Sequence, residues 1–342
     1  MGRLRYTISR VLQAIPVLLG VATITFFLTD AIPGDPVSIM LGPSPSAQQA
    51  DAIRAKFGLD QPLWVRYVNY LFDVARLDLG ESLYYGVPVT EKIMERLPVT
   101  MLLLVSSFSF ALATAVPLGV ISAKRRNKPT DHISRIVALL GVSTPSFWIG
   151  LMLIIIFAFQ LDWLPATNLI MPWADPSSVD GVTRQPGFVG GIRAQIDVML
   201  VAGKHLILPT ISLGTLQMAA LTRIERSSML EVLNEEYVKL ARAYGVKETT
   251  ILRRHAFRNA QLPLITIIGL QLTQALGGAV LTETVFSING MGRLIITAIQ
   301  NQDFLLVMGT TLAFGLVFVV GVIVTDLSYA YVDPRVSFDE SD

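Results

Sequence analysis

The chain has 342 residues, of which 52% are hydrophobic and 15% charged, against about 25% charged in an ordinary soluble domain. Its formal net charge is +1, so no global field recruits nucleic acid or an acidic surface. The sequence has no cysteine, which excludes disulfides, thiolate metal sites and thiol nucleophiles.

The apolar residues gather into runs long enough to cross a bilayer as helix, which takes about 20 residues. Six such runs are free of Asp, Glu, Lys and Arg: 11–29, 97–123, 136–161, 206–222, 262–282 and 304–325. Backbone groups in hydrocarbon must be bonded internally, so each run is expected to be helical and the fold all-α. The first run follows Arg3, Arg5 and Arg10. It is longer than a signal-peptide core and no A-x-A site follows it, so it is expected to stay as a first span. Segment 30–96 carries turn signals at Pro33-Gly34 and Gly42-Pro43. It also carries a helical stretch from Ala47 ended by Gly58, and Tyr67, Tyr70, Leu71 and Val74 at helical spacing. Segment 162–205 is rich in Pro, Gly, Asp and Ser. A cap, a docking surface and a variable insertion all fit it.

With six spans, segments 1–10, 124–135, 223–261 and 326–342 share one side and hold 17 Lys and Arg in 78 residues. Segments 30–96, 162–205 and 283–303 hold 10 in 132. Basic residues are retained in the cytoplasm, so the first set, with both termini, is expected there.

Segment 223–261 is the most informative. Residues 223–233 continue the fourth span, 235–243 form another helix, and Gly245 ends it, as glycine commonly does. A short amphipathic helix follows, with Val246, Ile251 and Leu252 apolar beside Lys247, Glu248, Arg253 and Arg254. Its apolar side needs cover. Either a partner supplies that cover, or the helix lies among lipid headgroups.

Within the spans, Gln271, Gln274 and Gly278 share one face of the fifth helix and could line a pathway or form buried inter-helix contacts. Gly269, Thr273 and Gly277 line a neighbouring face at a spacing that suits close helix packing. His132, His205 and His255 lie in different segments, so a shared metal site is not expected. The phosphate-binding pattern G-x-x-x-x-G-K-[ST], H-E-x-x-H and G-x-S-x-G are all absent from the sequence. The chain is therefore expected to be non-catalytic. Ionisable residues fall only at span edges, as at Glu283 and Asp326, which argues against a proton-driven secondary transporter working alone.

The run EYVKLARAYG at 236–245, with Leu262-Pro263 beyond it, resembles the EAA loop of permease subunits in binding-protein-dependent ABC importers. The dipeptide, oligopeptide and nickel group matches best. Arg96-Leu97-Pro98, Thr144-Pro145-Ser146-Phe147-Trp148, Thr282-Glu283-Thr284-Val285-Phe286 and Asp333-Pro334-Arg335 are similar to later stretches of that group, in the same order. Tyr237 and Val238 replace two alanines of the general pattern, and Asn289 stands where proline is expected.

The resemblance implies a type I importer permease with a core domain over 97–335 and a short acidic tail, 336–342. It implies a coupling interface with an ATPase at Glu235, Glu236, Ala241, Ala243, Gly245, Val246, Ile251 and Leu252. It also implies two cytoplasmic ATPase subunits carrying the ATP and Mg, a second permease chain, an extracytoplasmic solute-binding protein, and residence in a prokaryotic plasma membrane. Di- or oligopeptides are the implied cargo, with nickel and oligosaccharides behind them.

Overall fold

The computed structural model describes residues 3–31, 46–56, 58, 60–182 and 188–332. The turn signals at Pro33-Gly34 and Gly42-Pro43, the Asp333-Pro334-Arg335 motif and the acidic tail lie outside these residues. The described chain is helical, with one isolated bridge between Glu81 and Pro88. In chain order the helices are α1 (Arg3–Ala31), α2 (Ala47–Lys56), α3 (Leu63–Ala75), α4 (Val89–Lys124), α5 (Pro129–Ser143), α6 (Ser146–Leu153), α7 (Phe188–Leu233), α8 (Glu236–Ala243), α9 (Phe257–Val285), α10 (Met291–Gln300) and α11 (Phe304–Val332).

Among the described residues, α1, α4, α7, α9 with the turns before it, and α11 are each long and apolar enough to cross a membrane. The expected third span, 136–161, is not one straight helix. It is a pair, α5 and α6, bent by 104°. Pro145 is the cause: it has no N–H to donate and forces Thr144 out of the helical region, and Thr144 is extended at φ −102°, ψ 127°. After α6 the chain widens into a π-helical stretch, Ile154–Gln160.

The fourth span also differs from its expected limits. Helix α7 has 46 residues and begins at Phe188, inside the segment read as an outside loop. Arg193, Asp197 and Lys204 break the hydropathy there. Ala194, Val198 and Ala202, spaced by four, are nonetheless buried along one stripe. At 1.5 Å per residue α7 is about 69 Å long, well beyond a ~30 Å hydrocarbon core, so its ends must protrude. Helix α10 was likewise unexpected, since 283–303 reads as a loop.

The chain forms two compact units. Among the described residues, the first comprises those up to 98 and 290–323. There α1 meets α3 through Phe26, whose ring stacks on Tyr70 at 5.4 Å and tilts against Tyr67. The Thr23 and Tyr67 hydroxyls share a 2.8 Å hydrogen bond, and Arg66 pairs with Asp30 at 2.8 Å. A second core joins Val89, Ile93, Met291, Leu294, Ala298 and Leu306. Asp303 caps the start of α11 by accepting from the Leu306 N–H, and it also holds the Ser82 hydroxyl and the Tyr84 N–H.

The second unit comprises the described residues of 99–289 and 324–332, and α7 packs there against α5, α6 and α9. Missing side chains allow the approach. A Cβ on Gly214 would come within 2.8 Å of the Ser107 carbonyl oxygen, and one on Gly141 within 2.8 Å of the Ala219 methyl. Ser212 on α7 donates to the Ser146 carbonyl at 2.8 Å, and Thr210 to Ser106 at 2.9 Å.

Candidate coupling segment and pathway residues

Leu233 ends α7, and after Asn234 and Glu235 the chain turns into α8. Tyr244 closes α8, and Gly245 follows at φ +75°. The Gly245 N–H donates to the Arg242 carbonyl at 3.0 Å, and the Val246 N–H donates to the Ala241 carbonyl at 3.1 Å. This is the paired closure of a Schellman turn, and Ala241 and Val246 provide the apolar contact that usually accompanies it. The turn needs a left-handed residue, which explains Gly245 without reference to any partner.

A salt link fixes the next step. The Arg242 guanidinium donates to both carboxylate oxygens of Glu248, at 2.9 and 3.2 Å. It crosses the Gly245 turn and ties α8 to the turn Glu248–Thr250. That turn passes through a π-helical stretch, Ile251–Ala256, directly into α9. The amphipathic segment is therefore the head of the fifth helix and not a separate element. Asn259 donates to the Tyr237 hydroxyl at 2.8 Å, which in turn reaches the His255 carbonyl.

The expected interface residues fall into two groups. Glu235, Glu236, Ala243 and Gly245 face solvent. Ile251 and Leu252 do not, being 0% and 7% exposed. They are packed with Val238, Met229, Leu233, Ala123, Ala256 and Ala260, and Ala241 and Val246 are partly covered by the same cluster. Sequence reading gave Ile251 and Leu252 to a partner surface; the chain itself covers them. Their burial is worth about 1.5–3 kcal/mol each to the fold. Leu240 and Tyr244, absent from the expected interface, are 57% and 80% exposed. They lie four residues apart, off the face carrying Val238 and Ala241, and this spacing could have marked them.

The pathway residues are less uniform. Gln274 is exposed, whereas Gln271 is partly covered and its Oε1 is buried without a partner. Gly278 is a packing position: a Cβ there would meet Leu213 of α7 at 2.9 Å. A Cβ on Gly269 would meet Thr325 at 3.0 Å, but Gly277 and Thr273 do not share that contact, Gly277 facing open space and Thr273 being exposed. Gln217 on α7, which the sequence reading passed over, is fully buried with neither amide atom bonded. The three histidines stay apart, and the described residues hold no cluster able to bind a metal.

Longer helices also draw ionisable groups inside. Glu225 of α7 and Glu283 of α9 are fully buried; Glu225 accepts from Gln261 at 3.0 Å and Glu283 from Thr100. Asp131 is fully buried as well. It takes both Arg226 nitrogens, at 2.7 and 2.9 Å, the Ser122 hydroxyl at 2.6 Å and the Asn127 N–H at 2.9 Å. One carboxylate thus ties together the end of α4, the turn at Asn127, α5 and α7.

Among the described residues, five helices long and apolar enough to cross a membrane, with a further apolar pair bent by 104°, make this a multi-pass membrane protein. The chain belongs to the family of binding-protein-dependent transport system inner membrane components, whose pattern it matches over residues 115–338, and its N-terminal companion pattern over residues 3–103. It is 39% identical over 335 residues to the dipeptide transport system permease protein DppB of Alkalihalophilus pseudofirmus, covering 98% of this chain and all of that one. It is 37% identical over 334 residues to the oligopeptide transport system permease protein AppB of Bacillus subtilis, covering 97% of this chain and 99% of that one. A probable D,D-dipeptide transport system permease protein of Escherichia coli is 40% identical over 323 residues, 94% of each chain.

Proposed function

We propose that this permease forms half of the pathway through which an ATP-driven importer moves di- or oligopeptides handed over by an extracytoplasmic binding protein. The names of its relatives support that cargo. The other half of the pathway is a second, different permease chain. Two cytoplasmic ATPase subunits bind the ATP and Mg, and this chain hydrolyses nothing. The basic segments, with both termini, face the cytoplasm of a prokaryotic cell, as the distribution of Lys and Arg favours.

The observation that carries the coupling role is the exposed tip at Leu240, Ala243, Tyr244 and Gly245. It stands on a buried apolar cluster and is braced by the Arg242–Glu248 pair. A tip of this kind can take the push of an ATPase groove and pass it to α7 and α9 as rigid bodies. Glu235 and Glu236 lie at its foot.

The test is Gly245→Asp in a reconstituted complex. The site has open space for a side chain, with nothing within 4 Å of an added Cβ. The variant should therefore insert normally and still receive loaded binding protein, while uptake collapses and the ATPases detach or hydrolyse without transport. Near-normal uptake would remove the coupling assignment.

A further inference from the structure

Between α5 and α7 lies a groove of about 500 Å³ that the transport reading leaves without a role. Its chemistry is ordered along its length. The hairpin at residues 125–128 joins α4 to α5. On α5 the residues nearest the hairpin are His132 and Arg135, and those further along are Ile136, Leu139 and Val142. Helix α7 runs the opposite way and repeats the order: Ala219 lies deep, then come Arg223, Arg226 and Ser227. Two independent helices thus set three guanidinium groups and an imidazole above a hydrocarbon-lined floor.

Two of the three guanidinium groups at the mouth are not spent on internal pairs. Arg226 is held by Asp131, but among the described residues neither Arg135 nor Arg223 has a carboxylate partner, and both are exposed. The floor is open too, with Ile136 and Leu139 57% and 67% exposed. Because Asp131 fixes Arg226, one wall of the mouth is preorganised.

We propose that this groove is a binding site for an anionic phospholipid. The phosphate would sit between Arg135 and Arg223, the glycerol hydroxyls or esters would lie near Ser227, and an acyl chain would lie on Ile136 and Leu139. A cationic pocket over apolar walls between membrane helices suits such a headgroup, and the volume falls in the range of small-molecule sites. The proposal needs the helices in a bilayer but does not depend on which side faces the cytoplasm, or on the cargo.

The experiment uses the whole importer complex, purified in mild detergent and supplied with dioleoylphosphatidylglycerol, dioleoylphosphatidylcholine or inorganic phosphate, and read by native mass spectrometry. The intact complex should retain phosphatidylglycerol over phosphatidylcholine, and phosphate should not displace it. Arg135→Gln and Arg223→Gln should each weaken retention about fivefold, while Arg125→Gln and Arg126→Gln on the hairpin, outside the groove, should leave it unchanged. Equal loss from the hairpin variants would reduce the effect to diffuse surface charge. Equal retention of phosphatidylcholine, or full displacement by phosphate, would overturn the lipid assignment. A second measurement guards against a protein occupant: Leu139→Cys, in a chain without other cysteines, is labelled with bimane in liposomes. Brominated phosphatidylglycerol should quench it more than brominated phosphatidylcholine. No quenching by either would show that another subunit covers the groove and would refute the proposal.

Discussion

Single side chains in this permease divide into those that hold a shape and those that show a surface, and Gly245 does both. Its φ of +75° makes any Cβ costly by about 1 kcal/mol, even with room around it. Gly245→Ala should therefore lower thermal stability only slightly and keep most uptake, whereas Gly245→Asp should abolish uptake at similar stability. A thermal melt beside an uptake assay separates strain from surface. Tyr70 makes the opposite point. Its hydroxyl is buried without a partner, and burial pushes its pKa up to about 12. Removing an unsatisfied hydroxyl relieves a desolvation cost of about 1–3 kcal/mol, so Tyr70→Phe is expected to be neutral or stabilising in the same melt. A clear loss of stability there would mean that the hydroxyl has a bonding partner in the folded protein after all.

Among elements, the third span shows what periodicity conceals. The run 136–161 is uniformly apolar, and hydropathy gives it one continuous helix; the 104° bend comes from one proline that hydropathy averages away. Thr144-Pro145 stands in the sequence, and a backbone argument would have found it. The start of α7 was hidden for the converse reason, because an amphipathic extension dilutes its apolar stripe with charge. The existence of the spans was legible because lipid demands long apolar runs. The burial of Ile251 and Leu252 was not, because sequence shows an apolar face and never what covers it. The Asp131–Arg226 lock was illegible too, since its members are 95 residues apart. Breaking one partner of a buried pair costs about 3–5 kcal/mol. Asp131→Asn should therefore sharply lower the melting temperature, and Asp131→Asn combined with Arg226→Met should recover part of the loss. A double variant no better than the single would show that the carboxylate works mainly through Ser122 and Asn127.

At the scale of the molecule, the prediction is topological. Single cysteines at Asp180 and Thr249, both exposed, should behave oppositely in intact cells. The first should react with an impermeant thiol reagent from outside, and the second only after the membrane is opened. Labelling of position 249 in intact cells would reverse the orientation. The absence of G-x-x-x-x-G-K-[ST] from the sequence predicts that the purified chain, without other subunits, shows no ATP hydrolysis above background.

The length of α7 has a mechanical consequence. A rigid helix of about 69 Å that crosses a bilayer has the proportions of a lever arm pivoting where it crosses. A tilt of ~5° about its midpoint would carry each end sideways by about 3 Å in opposite directions. A nudge at Leu233, beside the Gly245 turn, would thus arrive at Phe188 as an opposite nudge with no relay of intermediate contacts. Pro209 lies on that arm, and the backbone bond it lacks bears on how much of the stroke would survive the crossing.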